Sequence, residues 1–277
     1  MRIEVQQTEQ GKVLWLTDGK TDVAVALDYG LRIVHVSAAG MKNLMYRQPA
    51  DRSDGFCTEE GWRLYGGHRF WLAPEGKQSY CPDNQPMYWE TFDDGALIVQ
   101  PEDSWQKTEK SIRITFLQDG GIQLIHGVKN LGDEPLEAAL WSITTFEKGG
   151  TAYAPLLPEQ LPKKLCRRSI VFWNATDPGD PRISFQGNQI KGRYMDIPNY
   201  FKMGAFIPQG RASFENLGQR FTMRFAAQPD GVYADDGCNF EFYMNRYFTE
   251  LESLSTLKRL QPGVVATHEE VWYLEKL

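Results

Sequence analysis

Two carboxylates, Glu250 and Glu252, stand two residues apart in the segment Phe248-Thr249-Glu250-Leu251-Glu252-Ser253-Leu254. Successive side chains of a strand point to opposite faces, so both glutamates share one face. The preceding segment puts Phe240, Phe242 and Met244 on one face and Asn239, Glu241, Tyr243 and Asn245 on the other. A sheet with an apolar face and a carboxylate, amide and aromatic face suits a polar small molecule such as a sugar. A glutamate serves as general base toward a hydroxyl when partial burial lifts its pKa toward the working pH. Glutamates on a strand face are more often merely solvated. Glu241 and Asn245 weigh against that here, because they add polar groups at strand spacing on the adjoining segment.

A second block, Tyr65-Gly66-Gly67-His68-Arg69-Phe70-Trp71-Leu72-Ala73-Pro74-Glu75, gathers a glycine pair, a His-Arg pair and aromatics. Adjacent glycines permit positive φ and a close backbone approach. Arg69 offers a planar fork of donors for carboxylates, phosphates or sugar hydroxyls. His68 can exchange a proton near neutral pH, and Trp71 offers a face that stacks on the C–H side of a pyranose ring. Alone, the block reads equally well as a glycine turn followed by an ordinary strand. The following Tyr80-Cys81-Pro82-Asp83-Asn84-Gln85-Pro86 is expected to form a rigid loop that overhangs a site.

Other chemistries lack their residues. There is no GxSxG elbow, no HExxH zinc motif and no phosphate-binding glycine pattern after a strand. Asp235, Asp236, Asn239 and Glu241 offer clustered oxygens of the kind calcium favours, but Asp-Asp-Gly is sufficient as a turn, so no metal and no cofactor is expected. His268 and Glu269, adjacent on a strand, point apart, and His268 is expected at the surface. The net charge of -6, from 30 basic and 36 acidic residues without long blocks, disfavours nucleic acid, which needs a concentrated basic surface. No apolar run approaches the roughly 20 residues of a membrane helix, and no leader with a cleavage site is visible at the N-terminus. Cys57, Cys81, Cys166 and Cys238 lack CxxC spacing and read as reduced thiols, favouring the cytoplasm. Oligomeric state is not readable.

The elements that must position these residues are nearly all strands. Asp22 to Leu27, Leu31 to Val36, Ser111 to Phe116, Gly121 to His126 and Arg220 to Phe225 alternate with period two, and no helical apolar stripe is sustained. Asp119-Gly120-Gly121 predicts a hairpin turn. Residues 154–162 and 174–181 read as loops and neither as a linker. The expectation is an all-β sandwich, one domain over residues 1–277.

Further residues resemble the galactose mutarotase-like (aldose 1-epimerase-like) superfamily, whose fold is a β-supersandwich. Val23 to Leu27, Tyr29-Gly30-Leu31-Arg32-Ile33 and Gly40-Met41-Lys42-Asn43-Leu44-Met45 resemble its opening strand, GxRI turn and GxNLL loop. Gly66-Gly67, Gln228-Pro229 with Tyr233, Leu251-Glu252, Pro262-Gly263 and Trp272-Tyr273-Leu274 resemble later landmarks. A branch with a GGHR-W-APE block and a C-terminal E-L-E-x-L…PG block is the most similar.

The resemblance implies sugar binding, with Glu252, or else Glu250, as the base that takes the anomeric hydroxyl proton. The histidine that protonates the ring oxygen in mutarotases is missing from Ala139 to Phe146, leaving His68 as acid if the fold brings it opposite Glu252. With no acid, the groove would still bind a sugar through Trp141, Arg69 and the carboxylates, with Lys202 as a further contact. Aldose 1-epimerase and inert sugar-recognition protein therefore both stand, ahead of a lyase or glycosidase.

Overall fold

The computed structural model describes residues 1–49, 57–157 and 168–277. The chain enters a first sheet with β1 (Arg2–Thr8), β2 (Gly11–Thr17), β3 (Thr21–Ala26), β4 (Arg32–Ala38) and β5 (Gly67–Ala73). It crosses to a second sheet for β6 (Tyr88–Phe92), β7 (Gly95–Val99), β8 (Thr108–Phe116) and β9 (Ile122–Asn130), then returns with β10 (Leu136–Glu147). Thereafter it alternates. β11 (Thr151–Pro155), β13 (Ile183–Gln186), β14 (Gln189–Arg193), β16 (Arg211–Asn216), β17 (Gln219–Phe225) and β21 (Val265–Lys276) join the second sheet. β12 (Ile170–Phe172), β15 (Phe201–Ala205), β18 (Phe240–Met244) and β19 (Phe248–Leu254) join the first, and the short β20 (Lys258–Leu260) pairs with β10.

The first sheet has the order β1-β2-β3-β4-β5-β10-β19-β18-β15-β12, and the second β13-β14-β11-β16-β17-β21-β9-β8-β7-β6, with antiparallel pairing throughout. The expected strands fall where their alternation put them, and β8 and β9 form the expected hairpin. Ala154 and Pro155, expected in a loop, instead close β11, whose Ala152 and Ala154 pack inward. The remainder of that expected loop, beyond residue 157, and Cys166 lie outside the described residues.

Alternation explains the layers. Phe221 and Met223 of β17, Phe214 of β16 and Trp272 of β21 meet Phe146 of β10, Phe201 of β15 and Phe240 and Phe242 of β18 between the sheets. β5 and β19 are buried along their whole length, because loops cover their other face as well. There Trp62, Leu64, Trp71, Trp141, Ile143, Phe248 and Leu254 form a second apolar cluster. Entry into β5 depends on the glycine pair. Gly66 and Gly67 adopt φ of 80° and 73°, and a Cβ on either would run into a backbone carbonyl oxygen, that of Tyr46 or of Ile33. Among the described residues no helix is long and apolar enough to cross a membrane.

Candidate functional site

Strand register assembles the site on the outer face of the first sheet. Trp141 of β10 lies opposite Trp71 of β5, and Ile143 opposite Arg69. On the other flank of β10, Ile143 pairs with Glu252 and Thr145 with Glu250 of β19. Glu252 and Glu250 in turn face Glu241 and Tyr243 of β18, and Tyr243 faces Lys202 of β15. Five strands thereby place Arg69, Trp71, Trp141, Lys202, Tyr243, Glu250 and Glu252 around one cleft of about 190 Å³, closed by Trp62, Leu64, Glu75, Tyr80 and Phe248.

Apart from Glu75 at the rim, the charges in the cleft are paired among the described residues. Arg69 donates to Glu250 at 2.7 Å, and the Thr145 hydroxyl donates to the same oxygen at 2.8 Å. Lys202 lies between two carboxylates, 2.8 Å from Glu241 and 3.0 Å from Glu252, while the Trp141 indole donates to Glu252 at 2.9 Å. The Lys202 ammonium sits 4.7 Å from the Trp141 ring centroid and 4.9 Å from that of Trp173, within cation–π range. Burial lifts the pKa of both Glu241 and Glu252 above the ordinary carboxylate range, and Lys202 pulls against it. Burial likewise opposes the charge on Lys202, but Glu252 and Glu241 together hold its pKa well above that of a free lysine. Arg69 is raised too, its desolvation outweighed by Glu250.

Among the described residues, several buried polar atoms that face the cleft have no hydrogen-bond partner. They are Trp62 Nε1, Arg69 Nε and Glu252 Oε1. Leaving such groups unmatched costs roughly 1–3 kcal/mol apiece, so their concentration at one place calls for an explanation. Trp62, Arg69 and Glu252 line the cleft, two as donors and one as an acceptor. A ligand rich in hydroxyls, each able to donate and accept, would match both kinds.

Of the expected site residues, Glu250, Glu252, Arg69, Trp71, Trp141 and Lys202 all line the cleft. Glu241 stands behind Lys202, fully buried. Asn239 is turned elsewhere, its Oδ1 accepting from the Ile207 amide at 2.6 Å and its Nδ2 donating to the Ile207 carbonyl at 3.1 Å. This side chain lies just before β18, where it clasps backbone and does not face the cleft. His68 also departs from expectation. Strand alternation that points Arg69 outward points His68 between the sheets, where it is fully buried against His126 and Trp272. None of His35, His68, His126 and His268 lines the cleft. Sequence reasoning passed over Trp62, which sits outside regular strands, and gave no role to Tyr80 beyond its loop. The Tyr80 hydroxyl donates a hydrogen bond to Glu75 at the rim.

Behind the cleft, the inter-sheet side of the same strands holds a polar network. A carbonyl only accepts, so His126 Nδ1 donates to the His268 carbonyl at 3.1 Å. His126 Nε2 must then accept from His68 Nε2 at 2.7 Å, and His68 Nδ1 from the Thr144 hydroxyl at 3.0 Å. Ser253 donates to Glu270 at 2.6 Å, so His268 Nε2 donates to Ser253 at 2.6 Å; the Trp272 indole completes Glu270 at 2.8 Å. His268, expected at the surface, is thus buried, because β21 lies centrally in its sheet. Burial depresses His126 to about 4 and His268 to about 3, drives His68 well below the usual imidazole value, and lifts Glu270 to about 7. His68, His126 and Glu270 bring ligand-type atoms within 4.8 Å of one another. The hydrogen bonds above engage both ring nitrogens of His68 and His126 and both oxygens of Glu270.

No protein-family model matches the sequence, and no curated protein aligns with it. Solved structures do match. A galactose mutarotase-like protein from Lactobacillus casei ATCC 334 superposes with a TM-score of 0.62 at 11% identity, over 95% of this chain and 100% of the other. A protein described as a candidate mutarotase from Salmonella typhimurium gives 0.60 at 11% identity, over 99% and 94%. One described as a candidate aldose 1-epimerase from Escherichia coli K12 gives 0.54 at 14% identity, over 100% of both. Two antiparallel sheets in this arrangement, matched along nearly the whole chain, give the protein the galactose mutarotase-like β-sandwich fold.

Proposed function

We propose that the protein binds a carbohydrate of monosaccharide size, an aldose or a derivative of one, in the cleft between Arg69 and Glu252. The observation that carries this reading is the set of unmatched polar atoms, Trp62 Nε1, Arg69 Nε and Glu252 Oε1, inside a cleft walled by Trp71 and Trp141. A pyranose offers hydroxyls to the first and C–H faces to the second. At about 190 Å³ the cleft falls below the roughly 300–1,000 Å³ typical of sites for drug-sized ligands, which favours one ring over an oligosaccharide. Titration of an aldose panel, followed by tryptophan fluorescence and calorimetry, tests the proposal. Saturable binding of at least one aldose, weakened tenfold or more in Glu252→Gln, is the expected result. Absence of saturable binding across the panel, or binding indifferent to both Glu252→Gln and Trp141→Ala, would sink it.

One observation favours a second reading, interconversion of sugar anomers. Glu252 keeps a free oxygen in the cleft and a pKa raised by burial, which equips it to take the anomeric hydroxyl proton. With no histidine at the cleft, the ring-oxygen proton would come from solvent or from Lys202, whose two carboxylates hold its proton tightly. Binding therefore leads and catalysis follows. NMR saturation transfer between anomers separates the two, since a recognition protein would bind without accelerating exchange.

A further inference from the structure

A second concavity, of about 610 Å³, lies on the outer face of the second sheet, on the side of the molecule away from the sugar cleft. Register gives its floor. Tyr153 of β11 faces Ser213 of β16, Ser213 faces Thr222 of β17, and Thr222 faces Tyr273 of β21. Two small hydroxyl residues thus lie between two tyrosines along one row. The next row on one side reads Glu215, Arg220, Glu275, one arginine between two carboxylates, with Arg220 ion-paired to Glu215 at 2.6 Å and to Glu275 at 3.4 Å.

The row on the other side is different. Arg211 and Arg224 stand directly opposite each other on β16 and β17. Like charges in that position destabilise an antiparallel pair, and among the described residues neither has a carboxylate at ion-pair distance. Arg224 lies over the Tyr273 ring, 5.1 Å from its centroid. Asp119 beyond that ring is engaged by the Tyr273 hydroxyl at 3.1 Å. Exposed arginines are ordinarily just solvated, and they can splay apart to relieve repulsion. Here the pair forms the cationic end of a groove whose other end holds an arginine between two carboxylates and whose walls are aromatic.

We propose that this groove binds a small ring compound bearing a phosphate or carboxylate. The anion lies between Arg211 and Arg224, whose guanidinium forks match either group bidentately. The ring lies over Ser213 and Thr222 between Tyr153 and Tyr273. Binding an anion there removes the cross-strand repulsion, so the ligand also stabilises the β16–β17 pair.

Calorimetric and NMR titrations of the whole protein with phenyl phosphate, benzoate, inorganic phosphate and phenol test this. Phenyl phosphate or benzoate is expected to bind saturably, and more tightly than inorganic phosphate or phenol; the tighter of the two identifies the anion. The double variant Arg211→Gln/Arg224→Gln should weaken that binding about tenfold or more, the usual size for losing charged hydrogen bonds. Arg246→Gln, at an exposed arginine in the turn between β18 and β19 paired with Asp196, should leave it within twofold. Without ligand, the double variant should melt at the same temperature as the parent or higher, as relief of repulsion requires. Equal weakening in Arg246→Gln, equal binding of phenol and phenyl phosphate, or no saturable binding of either anion would overturn the proposal.

Discussion

Arg69 and His68 are neighbours in sequence, yet one joins an ion pair at the cleft and the other a neutral chain of hydrogen bonds between the sheets. Glu252 and Ser253 divide in the same way, as do Thr145 and Thr144. The same three strands β5, β10 and β19 therefore carry two buried polar layers, one on each face. The outer layer satisfies charge by charge but leaves Arg69 Nε and Glu252 Oε1 unmatched. The inner layer engages both ring nitrogens of His68 and His126 and both oxygens of Glu270, and on the same face of β19 leaves the Thr249 hydroxyl unmatched. What separates them is the open side: unused hydrogen-bonding capacity beside a cleft can be met by a ligand or solvent, whereas between sheets it is costly.

The largest effect that would sharpen this contrast is expected from Lys202→Met. It leaves Glu241 and Glu252 buried and facing each other without their shared cation, and breaking such a buried pair costs about 3–5 kcal/mol. Urea denaturation measures it, and a loss under about 1 kcal/mol would mean that Lys202 does not hold the two carboxylates together.

The inner layer is tested by acid. Its histidines titrate at about 6.5 when unfolded, but at about 4 and about 3 for His126 and His268 when folded. As pH falls below about 6.5, the unfolded chain takes up protons that the folded one refuses, and stability drops until the folded values are reached. For His126 alone the difference is worth about 3 kcal/mol. Glu270 acts in the opposite sense: with its folded value near 7, it contributes stability below its unfolded value that is lost as pH rises through 7. Glu270→Gln should therefore steepen the acid-side decline in urea midpoint. An unchanged slope would show that Glu270 is not the proton holder of the network.

A smaller effect would break the comparison most cleanly. Ser253→Ala cuts the link between His268 and Glu270 and should cost about 1–3 kcal/mol of stability while leaving aldose affinity within twofold, although Ser253 adjoins Glu252 in sequence. If affinity falls with stability, the two layers act as one.

Alternation alone made the site's carboxylates legible: Glu250 and Glu252 share a face, opposite Leu251 and Ser253, as their spacing requires. The same rule sends His68 away from Arg69, and the joint reading of that pair as site residues failed for this reason. What alternation cannot supply is which strands become neighbours. Lys202 and Glu241 meet only because β15 pairs with β18, a contact made between segments far apart in sequence. Asn239 was placed on the polar face by extending the strand pattern one residue past the start of β18, where the backbone of Ile207 takes its amide instead. Trp62 belongs to no regular element, so no period announced it. The fold was more legible than the site because sheets repeat their signal many times, whereas a cleft is built from single residues of many elements.

The glycine pair ahead of β5 has a consequence for how the protein tolerates change. Gly66 and Gly67 have backbone oxygen where a side chain would go, so no amino acid with a β-carbon fits at either without moving Tyr46 or Ile33. In a library of all single substitutions, these two positions should be as intolerant as the cleft itself, though neither lines it. A map of intolerant positions would therefore outline a larger patch than the cleft, with its extra margin marking where the chain must be bare for Arg69 to arrive in place.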